Sequence, residues 1–226
     1  MERLERLKRE QEKLSKKVSL KDMFEELNLI AACDISYYEN KIIVGFIVFK
    51  NGEIIDRSDE VREARFPYKP GFLAYREAPA VLEAYYKLKE EPDLIIISRN
   101  GIMHPRRFGM ASHIGIALDK PVIGVSKRLL YGEVKEGKVY DNGHLIGFEL
   151  ETKENGKPIY VSPGNKVSFN TSLQLIKENL KGHKMPEYLH LAHKLTNKIK
   201  IIIKRETKQE LEPIAQSRVN REFLSA

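Results

Sequence analysis

Asp34 stands inside an apolar run, Ala31-Ala-Cys-Asp-Ile35. A carboxylate there is costly unless it is paired, hydrogen-bonded or bound to a metal. On a strand with one wet face, alternation alone would also account for it. Glu77 follows in Tyr75-Arg76-Glu77, either as a functional acid or as a surface partner one helical turn away. Ser98 ends a continuous apolar run, Asp93-Leu-Ile-Ile-Ile-Ser98, and the crevice beyond the carboxyl ends of parallel strands is where α/β sheets place ligands. Lys127 lies two residues beyond the next such run, Val122–Val125, at the same edge. His104-Pro105-Arg106-Arg107 is expected to open a helix there. A helix N-terminus with two arginines suits phosphate, although His104 alone is equally a cap or loop histidine. Each signal is weak by itself. Their convergence on one sheet edge points to an active site.

The elements that must hold these residues can be read from periodicity. Residues 2–27 alternate charge with Leu4, Leu7, Leu14, Leu20, Met23, Phe24 and Leu27. That predicts one or two amphipathic helices, with Ser19 capping the second. Leu29–Tyr38, Lys41–Lys50 and Glu53–Val61 are β-prone runs joined by the turn signals Glu39-Asn40 and Asn51-Gly52, which makes an antiparallel meander. Gly71–Lys89 reads as a helix, with Pro79 tolerable only near a first turn or at a kink. A buried strand at 93–98, a helix from about Pro105 to Leu118 and a second buried strand at Pro121–Val125 form a strand–helix–strand unit. A Gly-punctuated β segment, a short strand at Pro158–Ser162 and helices at Ser168–Leu180 and Pro186–Lys204 complete the chain. The expected architecture is α/β: a mixed sheet, antiparallel first and parallel after, flanked by helices, as in ribonuclease H-like domains. Residues 1–205 are expected to form one domain, and 206–226 a charged, partly helical C-terminal tail.

Composition narrows the partners. The 226 residues are 42% apolar and 31% charged with 14 Gly and 10 Pro, which excludes collagen and low-complexity disorder. No apolar run approaches the ~20 residues of a spanning helix, and Ile199–Ile203 is interrupted by Lys200. The opening MERLERLKREQEKL lacks the apolar stretch of a secretory signal. The single cysteine, Cys33, permits no internal disulfide and no cysteine-based zinc cluster. A cytoplasmic monomer without a membrane partner is the expectation. A net charge of +7 points to a polyanion. The excess is local: seven Lys/Arg against Glu187 lie between Lys181 and Arg205, so Lys194 and Lys198 belong to a stripe able to neutralise phosphates without reading bases.

Several segments resemble the endonuclease V family closely and in family order across residues 25–200. They are Ala32-Cys-Asp-Ile-Ser36, Phe66-Pro-Tyr-Lys-Pro-Gly-Phe-Leu-Ala-Tyr-Arg-Glu77 and Gly101-Ile-Met-His-Pro-Arg-Arg-Phe-Gly-Met-Ala-Ser-His113, followed by Pro121-Val-Ile-Gly-Val-Ser-Lys127 and Ile159-Tyr-Val-Ser-Pro-Gly164. The resemblance implies a ribonuclease H-like fold and a DNA-repair nuclease. Its activity would be Mg²⁺-dependent hydrolysis, with Mn²⁺ able to substitute, on the 3′ side of inosine in DNA or RNA. Carried onto matching positions, it implies that Asp34 ligates the metal, that Glu77 holds metal-bound water, that Lys127 lies near the scissile phosphate, and that His104 is an active-site histidine. Tyr68, between Pro67 and Pro70, would be the wedge that fills the gap left by the displaced base. Gly71, Leu73, Gly101 and Gly109 would surround the base pocket.

One departure bears on the chemistry. The family's Asp-Gly-x-Gly-x-x-His-Pro reads Ser98-Arg99-Asn100-Gly101-Ile102-Met103-His104-Pro105 here. Ser98 therefore stands at the second metal-ligating position without a charge, and Arg99 stands beside the base pocket, there to fill it or to contact phosphate. Asn165 stands where many relatives carry histidine. The alternative implied is a weakened or inactive member that binds inosine-containing, mismatched or single-stranded nucleic acid.

Overall fold

The computed structural model describes residues 2–153 and 156–223. Three long strands, β1 (Leu29–Tyr38), β2 (Lys41–Lys50) and β3 (Glu53–Glu63), form the expected antiparallel meander. The turns work as their residues suggest: Glu39, Asn51 and Gly52 all take positive φ. β4 (Leu94–Ile97) pairs parallel with β1, and β5 (Val122–Ser126) pairs parallel with β4. After β6 (Glu133–Lys135), β7 (Lys138–Asp141) and β8 (His144–Leu150), β9 (Ile159–Asn165) returns antiparallel to β5. The nine strands make one mixed sheet, ordered β3-β2-β1-β4-β5-β9-β8-β7-β6.

Helices cover both faces. α1 (Glu2–Ser15), α2 (Leu73–Tyr85) and α3 (Met110–Leu118) lie on one, and α4 (Phe169–Glu178) and α5 (Glu187–Phe223) on the other. The two cores follow strand alternation. Ala31, Cys33, Ile95 and Ile97 pack with Ala78, Val81 and Ile114, whereas Ala32, Leu94, Ile96 and Ile123 pack with Ile176, Leu189 and Ala192. Cys33 sits opposite Ile97 in the parallel ladder. The next residue on each strand, Asp34 and Ser98, therefore turns toward α5, and Arg99 is turned back toward α2. This parity places the site.

Two helix expectations differ from the structure. Residues 16–28 contain no second helix; Ser19 instead straps the segment to the end of β9, where its N–H donates to Asn165 Oδ1 at 3.1 Å and its carbonyl accepts from Lys166 at 2.8 Å. Asn165 is thus a buried structural tie, which also donates to the Gly115 carbonyl at 3.0 Å. The helix expected from Pro105 begins only at Met110. The preceding loop folds back so that the Asn100 carbonyl accepts from Ala111 N and the Gly101 carbonyl from Gly109 N, both at 2.9 Å. Those bonds occupy amides that an open helix terminus would offer to phosphate. α2 begins at Leu73, so Pro79 falls in its exposed interior rather than its first turn. α5 continues past Arg205 to Phe223 without a break. Among the described residues no helix is long and apolar enough to cross a membrane.

Candidate active site

Asp34, Ser98, Arg99, Lys127 and His193 line one cleft of about 420 Å³ at the carboxyl ends of β4 and β5. Asp34 is buried, and its Oδ2 accepts from His193 Nδ1 at 2.9 Å and Thr196 Oγ1 at 2.8 Å. Burial alone would raise this carboxyl, but hydrogen bonding, first from His193 and then from the Ser98 and Thr196 hydroxyls, holds it at about 2. Asp34 is therefore ionised wherever the protein is folded near neutrality. Ser98 Oγ is near enough to share in that lowering, yet it is buried and makes no hydrogen bond of good geometry. Lys127 is exposed at the cleft rim.

Glu77 is fully buried on α2 and does not line this cleft. Arg99 stands in front of it. The guanidinium grips both carboxylate oxygens, Nε to Oε2 at 2.7 Å and Nη2 to Oε1 at 2.6 Å, and Tyr37 OH donates to Oε1 at 2.6 Å. Burial, reinforced by the negative charge of Glu77, raises the Tyr37 phenol, which stays protonated as the donor.

A second hollow of about 110 Å³ adjoins the cleft. It is lined by Tyr68, Pro70, Gly71, Leu73, His104 and Gly109, and Arg99 and Leu73 belong to both spaces. Tyr68 is 68% exposed, as an aromatic waiting for a flat partner would be. Gly71 takes φ +75°, the left-handed region that favours glycine, and its carbonyl gathers Gln11, His104 and Arg106. Gly101 does not line the hollow. A Cβ there would lie 2.0 Å from the Pro163 carbonyl, so it serves the approach of the loop to β9.

His104 belongs to this hollow and not to the cleft with Asp34. Its Nε2 faces the Gly71 carbonyl at 3.1 Å and its Nδ1 accepts from Arg106 N at 3.2 Å, the pattern of a neutral ring. Arg106 donates to Gln11 and Gly71, and Arg107 is paired with Asp141 at 2.7 Å. Both guanidinium groups are thus engaged within the protein. Pro67 is exposed beside Tyr68, and Lys194 and Lys198 are exposed on α5, the helix that carries His193. His193 and Thr196 escaped the sequence reading, and so did Tyr37. The available signal was a His and a Thr three residues apart beside the buried Leu189 and Ala192, a spacing that puts them on one helical face.

Burial, and for His104 also the Arg106 charge, lowers the pKa of His104 to about 4; burial does the same for His113. Each ring is neutral when folded and charged when unfolded between about pH 4 and the ordinary value of 6.5. A lowered histidine contributes stability that is fully present above 6.5 and is lost as pH falls toward 4. Urea unfolding is expected to show a loss of up to about 1.4 kcal/mol per pH unit for each ring across that window. His104→Gln should remove about half of that slope, and an unchanged slope would contradict the neutral, buried assignment.

The Mg²⁺ or Mn²⁺ that the family resemblance implies does not find a fitting donor set. Position 98 supplies a neutral hydroxyl, both oxygens of Glu77 are held by Arg99, and Asp34 Oδ2 is held by His193 and Thr196. Among the described residues, no group of three or more His, Cys, Asp or Glu is placed to hold a metal ion. Hard divalent ions are bound by oxygen-rich, negatively charged sets, and among the described residues only Asp34 is a carboxylate facing this cleft.

The family model described as Endonuclease V matches residues 12–194. An Endonuclease V of Dictyoglomus turgidum is 45% identical over 193 residues, covering 81% of this chain and 85% of its own. Among solved structures, the Endonuclease V of Bacillus subtilis superposes with a TM-score of 0.80 at 27% identity, over 87% of this chain and 91% of that one. The Endonuclease V of Ciona intestinalis, solved with a 24mer DNA containing an inosine followed by a ribo-adenosine, shares the fold. Its TM-score is 0.79 at 24% identity, covering 90% of this chain and 100% of that one.

Proposed function

The chain belongs to the endonuclease V family, and from that premise we propose that it recognises inosine in DNA or RNA and hydrolyses the phosphodiester on its 3′ side, slowly. The observation that carries this reading is the junction of two spaces. The hollow beside Tyr68 shares Leu73 and Arg99 with the cleft holding Asp34, His193 and Lys127, so a base displaced into it would lie next to that cleft. A base taken out of the stack must be held against backbone and aromatic surface, and Gly71 with Pro70 supplies such a wall. Lys127 supplies positive charge where the phosphate gathers negative charge. Asp34, ionised and fixed by His193 and Thr196, is the group able to orient a water molecule toward that phosphate. The residues invoked all lie within 1–205, and the assignment presumes a cytoplasmic monomer.

A divalent ion supplies charge neutralisation and a more acidic water in nucleases of this kind; Mg²⁺, or Mn²⁺ in its place, is the ion we assign to the family chemistry. The poor donor set is the reason for expecting slow turnover. It also favours a second reading, in which binding to inosine-containing or mismatched nucleic acid is the principal activity.

Cleavage of inosine-containing single and double strands with Mg²⁺ and then Mn²⁺ tests the first reading, and equal cleavage of inosine-free strands would sink it. Recognition has its own test. Base–aromatic stacking contributes ~1–3 kcal/mol, so Tyr68→Ala should weaken binding to inosine-containing duplex about five- to hundredfold, and to undamaged duplex much less. Replacing Lys194 and Lys198 together should weaken both alike and flatten the salt dependence. Equal losses on both duplexes for Tyr68→Ala would reduce Tyr68 to an ordinary surface aromatic.

A further inference from the structure

Arg99 is bound more completely than a phosphate-contacting arginine would be. A guanidinium has five N–H donors. Four of them are spent inside the protein: Nε–H and one Nη2–H on Glu77, the other Nη2–H on the Ile35 carbonyl at 3.2 Å, and one Nη1–H on its own neighbour, the Ser98 carbonyl, at 2.7 Å. The fork is thus pinned at once to β1, to the end of β4 and to α2. Its side chain is only 20% exposed, and the carboxylate behind it is 0% exposed. Next to it, Ser98 contributes a hydroxyl without charge and without a partner of good geometry.

We propose that the Arg99 guanidinium is the resident cation of this acidic site. It neutralises Glu77, in the place where a bound divalent ion would otherwise be needed, and it leaves the protein without nucleic acid no tight site for such ions. The assignment rests on charge counting as well as geometry. Asp34 and Glu77 bring two negative charges to the edge of β1 and α2, and Arg99 returns one at the shortest range. Lys127 at the cleft rim and the unpartnered hydroxyl of Ser98 leave a divalent ion only Asp34 as an anionic ligand. To reach Glu77, an ion would have to displace a two-pronged, charge-assisted pair, among the stronger hydrogen-bonded arrangements in proteins. Ser98 and Arg99 form one exchange on this account. The first removes a charge that would demand a metal, and the second supplies the charge that balances Glu77 in the folded protein without one.

The proposal concerns the protein without nucleic acid and does not rest on inosine recognition, so it is tested without substrate. The unmodified protein should show the same melting temperature in EDTA as in millimolar Mg²⁺ or Mn²⁺, and titration of Mn²⁺ followed by its electron paramagnetic resonance signal should detect no site tighter than millimolar. Ser98→Asp combined with Arg99→Gly leaves three carboxylates and removes the buried cation between them. That variant should melt lower than the parent in EDTA and recover by more than about 2 °C when Mn²⁺ binds only its folded form. A sub-millimolar Mn²⁺ site in the unmodified protein would overturn the proposal even if the double variant failed to fold. So would a double variant that is as stable as the parent in EDTA and indifferent to the ion.

Discussion

Replacement of Arg99 by alanine is expected to lower the unfolding free energy by about 3–5 kcal/mol, the range seen when one partner of a buried ion pair is removed. The cause is the carboxylate left behind. Glu77 is fully buried among Ala74, Ala78 and Val81 on α2, and without Arg99 it keeps only the Tyr37 hydroxyl as a donor. A single neutral hydrogen bond does not offset the desolvation of a charge. The vacated guanidinium volume opens toward the cleft, so water can enter and the lower end of the range is the better expectation. The companion variant decides the cause. Glu77→Gln needs no countercharge and can still accept from Tyr37, so adding it to Arg99→Ala should recover much of the loss. Urea unfolding at pH 7 of the parent, the two single variants and the double variant closes the cycle. A loss below about 1 kcal/mol for Arg99→Ala would place this pair with ordinary surface ion pairs, and no recovery in the double variant would assign the loss to packing.

That coupling shows where sequence reading stops. The meander was legible because β propensity and turn residues are local: Asn51-Gly52 can take positive φ, and β-prone runs lie on either side. β4 and β5 were legible as unbroken apolar runs, which is what burial on both faces requires. Asp34, Ser98 and Lys127 could be placed at one sheet edge because strand ends follow from those runs. Glu77 could be named as an acid, and Arg99 as an anomaly. Their pairing spans 22 positions and depends on which face of α2 meets the end of β4, so no local pattern announces it. His193 and Thr196 lie 159 and 162 positions from the Asp34 carboxylate they bind; within α5 they look like one more polar pair in a basic helix. The helix expected from Pro105 failed for a related reason. Proline favours a first helical position, but carbonyls from Asn100 and Gly101 cap the helix four residues later, and that contact needs glycine at 109 for the backbones to meet.

The pair also bears on turnover, and a gain of function is the sharper test. Ser98→Asp with Arg99→Gly is expected to raise metal-dependent cleavage beside inosine by at least about tenfold, a lowering of the barrier by roughly 1.4 kcal/mol. Three changes act together. Aspartate at 98 faces the cleft beside Asp34, on the face that strand alternation assigns to both. Loss of the guanidinium frees Glu77 Oε2 and leaves Oε1 with the Tyr37 hydroxyl alone. It also clears the wall that Arg99 contributes to the hollow beside Tyr68 and Gly71, where a displaced base would sit. Ser98→Asp alone should recover less, because Arg99 still holds Glu77 and still narrows the hollow. The parent protein, with one free carboxylate, should cleave slowly with Mg²⁺ and better with Mn²⁺, which binds mixed nitrogen and oxygen ligands more readily. The three proteins can be ranked on one inosine-containing oligonucleotide under single-turnover conditions, where binding and chemistry separate. Robust Mg²⁺-dependent cleavage by the parent would refute this account of the site. No gain in the double variant, with affinity for the oligonucleotide intact, would instead identify binding as the activity that the cleft and the basic face of α5 serve.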